Sequence, residues 1–164
     1  MPQAVSAAPS IVLCTLNAKY IHASLGLRYL LANMGELRAS TVLCEFTIAR
    51  KPQEIADELL AVLGEPQAGA VQIIGLGVYI WNVTQTSEVV RLLKAARPDV
   101  KVVLGGPEVS HEVEEQDIVQ LAGHVITGWG DVSFPRLCRA LLHGPQPLMK
   151  VIAGEQPALD QIVL

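Results

Sequence analysis

The chain has 164 residues, of which 51% are hydrophobic and 17% charged, with a net charge of −4. That is enough apolar material for one domain with a proper core, and it is the wrong composition for a disordered chain. An acidic balance without a basic block excludes nucleic acid as the main partner, and a surface this lean in charge is expected to be covered in part by a ligand or another domain.

Residues 1–9 lack the charged and apolar regions of a signal peptide and are read as a flexible N-terminus. No apolar run approaches a membrane span in length. Cys14, Cys44 and Cys138 are odd in number, far apart and outside any C-x-x-C spacing. Cys14 and Cys44 sit in apolar runs and are expected to pack as small hydrophobes, in a reducing, cytoplasmic compartment.

The first apolar run, residues 11–15, leads through the stretch LNAKYIHAS into a helical pattern over 24–33. A second run at 41–46 precedes a helix over 52–63, which opens with Pro52 and early acidic residues. A third at 70–76 precedes a helix over 83–96, which ends in Lys94, Arg97 and Pro98. A fourth at 100–104 precedes a short helix over 112–121. A fifth at 124–127 precedes a helix over 133–142, stopped by Gly144 and Pro145. The runs are rich in Val, Ile and Leu with little alternation, as strands buried on both faces are.

Five alternations of strand and helix predict an α/β domain. It is expected to be a three-layer α/β/α, flavodoxin-like (Rossmann-like) fold with a five-stranded parallel sheet in the order 2-1-3-4-5 and right-handed crossovers. Ligands bind such sheets at the carboxyl ends of the strands, where the order reverses between strands one and three.

That edge is where the distinctive residues fall. Strand one is followed by Asn17, Lys19, Tyr20, His22 and Ser24, and strand three by GLGVYIWN, residues 75–82. Strand four is followed by GGPEVS, residues 105–110, and strand five by TGWGDVSF, residues 127–134. Glycine admits close approach of a ligand, although it is equally the ordinary residue of tight turns. Tyr20, Tyr79, Trp81 and Trp129 lie in these loops, out of three Tyr and two Trp in the chain. They form either a flat apolar platform for a large planar ligand or a helix docking point, with Asn82 as the N-cap of the third helix.

Familiar nucleotide sites are absent. The third loop lacks the last glycine of the dinucleotide fingerprint, and no P-loop, nucleophile elbow or structural zinc spacing occurs. His111, His124 and His143 read as surface or strand-end residues.

Four stretches taken in order, TLNAKYIHASLGLRYL, GVYIWNV, VVLGGPEVS and VITGWGDVSF, resemble the N-terminal cobalamin-binding domain of cobalamin-dependent radical S-adenosylmethionine proteins. The resemblance covers about residues 10–145 and leaves 146–164 as a linker toward a radical S-adenosylmethionine barrel domain. It implies that cobalamin sits over the carboxyl edge, with its nucleotide tail running beside the sheet. Asn17, Tyr20, His22 and Ser24 would border the corrin and the start of the tail channel. Gly75, Gly77, Val78, Tyr79, Ile80 and Trp81 would lie under the ring, and Gly105, Gly106, Pro107 and Glu108 would pass close to the tail. Gly128, Trp129 and Gly130 stand where related proteins show GEGE; Trp129 and Asp131 are departures, though a helix N-terminus near Asp131 would still offer amides to polar tail groups.

Two further departures bear on mechanism. Cobalamin domains of the methionine synthase type carry Asp-x-His-x-x-Gly, but around His22 this chain has Tyr20 and Leu25. Without the orienting acid, His22 is expected to hydrogen-bond or pack rather than ligate cobalt. The C-x-x-x-C-x-x-C that would hold an iron–sulfur cluster does not occur. The cluster and S-adenosylmethionine would belong to a further C-terminal domain, and this chain alone would not be catalytic. The expectation is thus a cobalamin module of a larger radical enzyme, with methyl transfer among its reactions. The alternatives are a cofactor-free, flavodoxin-like interaction domain and a stand-alone enzyme on a nucleotide or small acid, for which no paired acid and base are visible.

Overall fold

The computed structural model describes residues 8–18, 24–110, 116–158, 160, 162 and 163. The strands are β1 (Ile11–Asn17), β2 (Thr41–Thr47), β3 (Ile73–Gly77), β4 (Lys101–Gly105), β5 (His124–Thr127) and β6 (Val151–Ala153). The helices are α1 (Leu25–Ala32), α2 (Pro52–Leu63), α3 (Val83–Ala96), α4 (Asp117–Leu121) and α5 (Ser133–His143).

All strand pairs are parallel, in the order β2-β1-β3-β4-β5-β6. This is the expected flavodoxin-like sheet with one strand added: six strands stand where five were expected. β6 lies within the stretch read as a linker, residues 146–164, and pairs with β5 from Val125↔Val151 to Thr127↔Ala153.

Strand alternation sends side chains to two cores. Val12, Cys14, Leu16, Ile74, Val102 and Val125 face α2, α3 and α4, while Ile11, Leu13, Ile73, Val103 and Ile126 face α1 and α5. Cys14 and Cys138 are buried among hydrophobes; Cys44 is only partly so, because β2 is an edge strand. Burial pushes the Cys138 thiol up to about 12.

The helix assignment fixes a point of topology. β5–α5–β6 advances along the sheet in the same direction as β3–α3–β4 but crosses the opposite face, so the two connections have opposite hands. The uniform handedness expected of parallel crossovers therefore stops at the sixth strand.

Candidate cofactor-binding site

The two helical layers are built differently. α2 packs against α3 and α3 against α4, but α1 and α5 do not pack against each other in this way. Between them lies a cavity of about 340 Å³ whose floor is the sheet. Register explains the floor. Leu13, Gly75 and Val103 stand side by side across β1, β3 and β4, and the next row on that face is Thr15, Gly77, Gly105 and Ile126. Three of these seven positions are glycine, on the two central strands, so the face sinks into a trough toward the carboxyl edge.

Phe134, from the first turn of α5, closes the inner end. A Cβ built on Gly75 would lie 2.7 Å from its Cζ and 2.9 Å from its Cε2. Side chains essentially never approach so closely, so the glycine and the ring fit only as a pair. Gly26 on α1 faces the Tyr79 hydroxyl, and Gly77 faces Thr15 and the Tyr79 ring. Thr15, itself buried, donates to the Gly77 carbonyl at 3.2 Å.

Beside the trough is an open crevice of about 410 Å³, bordered by Asn17, Ser24, Gly26, Tyr79 and Trp81. The Tyr79 and Trp81 rings stack, with centroids 4.4 Å apart and planes 11° apart. Trp81 remains 46% exposed, Trp129 54% and Ile80 78%. Such rings in water at one edge form the kind of apolar surface that a ligand or partner covers.

Asn82 holds this loop in place. It is fully buried, and its Oδ1 accepts the Tyr79 amide at 2.8 Å. Its Nδ2 donates to the Leu16 carbonyl at 3.0 Å and to the Gly77 carbonyl at 3.2 Å. One side chain thus ties the end of β1, the end of β3 and the aromatic loop together. It sits at the N-cap position of α3 as expected, but it makes no side-chain cap bond to that helix.

Glu45 does the same for the start of α1. It accepts the Ser24 amide at 2.7 Å and a bidentate pair from Arg28 at 2.7 and 3.1 Å. Burial alone would raise its pKa. Hydrogen bonds from Arg28, Ser24 and Asn17, with the Arg28 charge, outweigh that and hold it below the usual carboxylate range. Ser24 is the N-cap of α1, its hydroxyl accepting the Leu27 amide at 3.3 Å.

The expected site residues separate accordingly. Gly75, Gly77, Tyr79, Gly105, Gly106, Gly128, Trp129 and Gly130 line the trough; Asn17, Ser24 and Trp81 border the crevice. Val78 was expected under a ring, but its side chain is in the core. Its backbone instead grips the β4 loop, its amide donating to the Gly105 carbonyl at 2.8 Å and its carbonyl accepting from Glu108 at 3.3 Å. Gly106 has φ +107 and packs against Val78, leaving no room for a Cβ. Ile80, Pro107 and Glu108 line neither cavity. Tyr20 and His22 lie outside the described residues, as do Lys19 and His111.

Sequence reasoning missed Glu45, Arg28, Thr15 and Phe134. The glycines at alternate positions of β3 were the signal for the last two, since whatever faces them must fill the space. Among the described residues, no group of three or more His, Cys, Asp or Glu could hold a metal ion, and no helix is long and apolar enough to cross a membrane.

A parallel sheet with a side-chain-poor trough at its topological switch point and an aromatic ledge above defines a class. It is an open α/β domain with a ligand-sized recess at the carboxyl edge of its sheet. Comparison with known families narrows this: the model described as "B12 binding domain" matches residues 11–138, most of the chain, and the chain belongs to that family. No curated protein matches the sequence. Family membership implies cobalamin as the ligand, and the residues present suit a bulky one: Gly77 and Gly105, side by side on the central strands, add no side chain to the recess at the carboxyl edge.

Proposed function

We propose that this chain is the cobalamin-holding module of a larger cobalamin-dependent radical S-adenosylmethionine enzyme, with methyl transfer as the reaction class. The corrin rests on the carboxyl edge beside Tyr79, Trp81 and Trp129, and the nucleotide tail enters the glycine trough. The single observation that carries this is the trough itself, opened by Gly77 and Gly105 in register on the two central strands. The parent assignment is supported by the stretches TLNAKYIHASLGLRYL, GVYIWNV, VVLGGPEVS and VITGWGDVSF. A cytoplasmic setting is supported by three free cysteines.

Bound cobalamin supplies organometallic chemistry at cobalt. The chain's own residues bind, orient and exclude water. Asn82 fixes the aromatic loop, Glu45 and Arg28 fix the start of α1 along the trough, and the exposed indoles provide apolar area. No histidine from this chain ligates cobalt in this reading. Support comes from the sequence around His22, where Tyr20 replaces the acid that would orient an imidazole. Electron paramagnetic resonance of the cobalt(II) form tests this. The expected spectrum has no nitrogen splitting; splitting that disappears in His22→Ala would overturn it.

The binding test is direct. Mixing the chain with hydroxocobalamin and gel-filtering should give a protein peak that carries the corrin spectrum. Absence of corrin at high protein concentration would count against the module binding by itself. A second reading, a cofactor-free interaction domain, is favoured by the exposure of Ile80, Trp81 and Trp129 on one edge. Trp81→Ala separates the two. A cofactor ledge should lose roughly tenfold in corrin affinity, whereas in a cofactor-free interaction domain neither wild type nor variant binds corrin and the substitution weakens only association with the partner.

A further inference from the structure

The walls of the trough carry information about which tail it takes. Its hydrocarbon walls are Leu13, Leu27, Leu30, Val103, Ile126 and Phe134, from β1, α1, β4, β5 and α5. The floor residues Leu13, Gly75 and Val103 belong to neighbouring strands, so their peptide groups are taken up by the sheet. Among the described residues, polar side chains reach the cavity only near its rim. Tyr29 and Trp129 are largely exposed, and the Tyr79 hydroxyl lies toward Gly26, where the trough meets the neighbouring crevice. Asp131, at the start of α5, is the one ionisable group among the described lining residues apart from the tyrosines.

We propose that the inner trough selects the tail by its terminal base, accepting a benzimidazole and discriminating against a purine. The proposal rests on the cobalamin reading above. A dimethylbenzimidazole presents carbon, hydrogen and methyl groups along the edge that goes in first, and these match Leu, Val, Ile and Phe. An adenine presents ring nitrogens and an exocyclic amine on the same edge. Between these hydrocarbon walls they lose water and meet no polar side chain of the described residues. A site without matching groups disfavours such a ligand by the cost of each unpaired polar atom. Phe134 sets the depth at which this comparison is made, because its ring occupies the space over Gly75 and stops the base there.

Equilibrium dialysis of the whole chain tests this with three corrinoids, the bound fraction being read from visible absorbance. They are hydroxocobalamin, its adenine-tailed analogue, and cobinamide, which lacks the nucleotide. Hydroxocobalamin should bind roughly tenfold to a hundredfold more tightly than the adenine analogue, and more tightly than cobinamide. Equal affinity for the two bases overturns the selectivity. Cobinamide binding as tightly as hydroxocobalamin also overturns it, by showing that the tail is not in the trough, while leaving cobalamin binding intact. Failure of all three to bind overturns the cofactor reading itself and the proposal with it. In Leu30→Gln, a half-buried position, an amide is placed in the wall and the ratio between the two bases should shrink severalfold. An unchanged ratio in a variant that still binds would contradict the assignment.

Discussion

Asn82→Ala removes three hydrogen bonds at a fully buried point. The Gly77 carbonyl keeps the Thr15 hydroxyl as a partner. The Tyr79 amide and the Leu16 carbonyl lose the partners that Asn82 gives them. At about 1–3 kcal/mol for each buried group left unpaired, the loss should be roughly 2–4 kcal/mol. For a chain of this size that corresponds to a fall in Tm of roughly 5–15 °C. Urea unfolding followed by circular dichroism measures it, and tryptophan fluorescence reports on the loop itself through Trp81. Asn82→Asp sharpens the test. One carboxylate oxygen would still accept from Tyr79, but the other would face two carbonyl oxygens, which raises the pKa of the introduced acid above about 3.9. A raised folded-state pKa means that the variant is nearest to wild type below the unfolded value. It loses stability as pH rises from there through the folded value. A loss under about 0.5 kcal/mol in Asn82→Ala, or a deficit in Asn82→Asp that does not vary with pH, would refute the view that Asn82 pins the aromatic loop.

Gly75→Ala should destabilise by about 1–3 kcal/mol through overpacking against Phe134, and Phe134→Leu in the same chain should recover part of that loss; strictly additive effects in urea unfolding would contradict the pairing. Glu45→Gln should be slightly destabilising at neutral pH, because the charged acceptor of Arg28 and of the Ser24 amide is lost from a solvent-screened pair. Since the Glu45 pKa is depressed in the fold, the difference from wild type should be complete above pH of about 4.3 and fade as pH falls through the lower folded value, as unfolding across that range would show.

The sequence made the interior elements legible because punctuation and burial agreed there. Pro52 opens α2 and Gly64 closes it, so its limits coincide with the expectation; α3 likewise begins after Asn82 and ends at Arg97. β6 was not legible. Three residues following Gly144, Pro145 and Pro147 look like a tail, and a strand entering with the opposite crossover hand runs against the rule used to prune topologies. The glycine edge was visible as composition, but its use was not. Gly77 and Gly105 open the trough only because strand register sets them side by side, whereas Val78, between two trough residues in sequence, points into the other core. Glu45 could not be recognised either. Within Cys44-Glu45-Phe46 it looks like a polar interruption of an edge strand, and Arg28 meets it only after β2 has docked parallel to β1.

The sixth strand also makes the far end of the chain a reporter on the Trp129 loop. The Gly154 amide donates to the Thr127 carbonyl at 2.6 Å, and a Cβ on Gly154 would come within 2.0 Å of the Trp129 carbonyl. The next residue continues the contact, with the Glu155 amide donating to the Ser133 hydroxyl at 2.9 Å. A short edge strand is held by few interactions and opens at lower free energy than the sheet centre. Hydrogen exchange at the Gly154 and Glu155 amides should therefore clock the detachment of β6 and, with it, the moments when the Trp129 loop is released from its backing. A ligand that leans on that loop would slow exchange at two amides beyond the end of the strand, giving a signal of occupancy that needs no probe placed in the site.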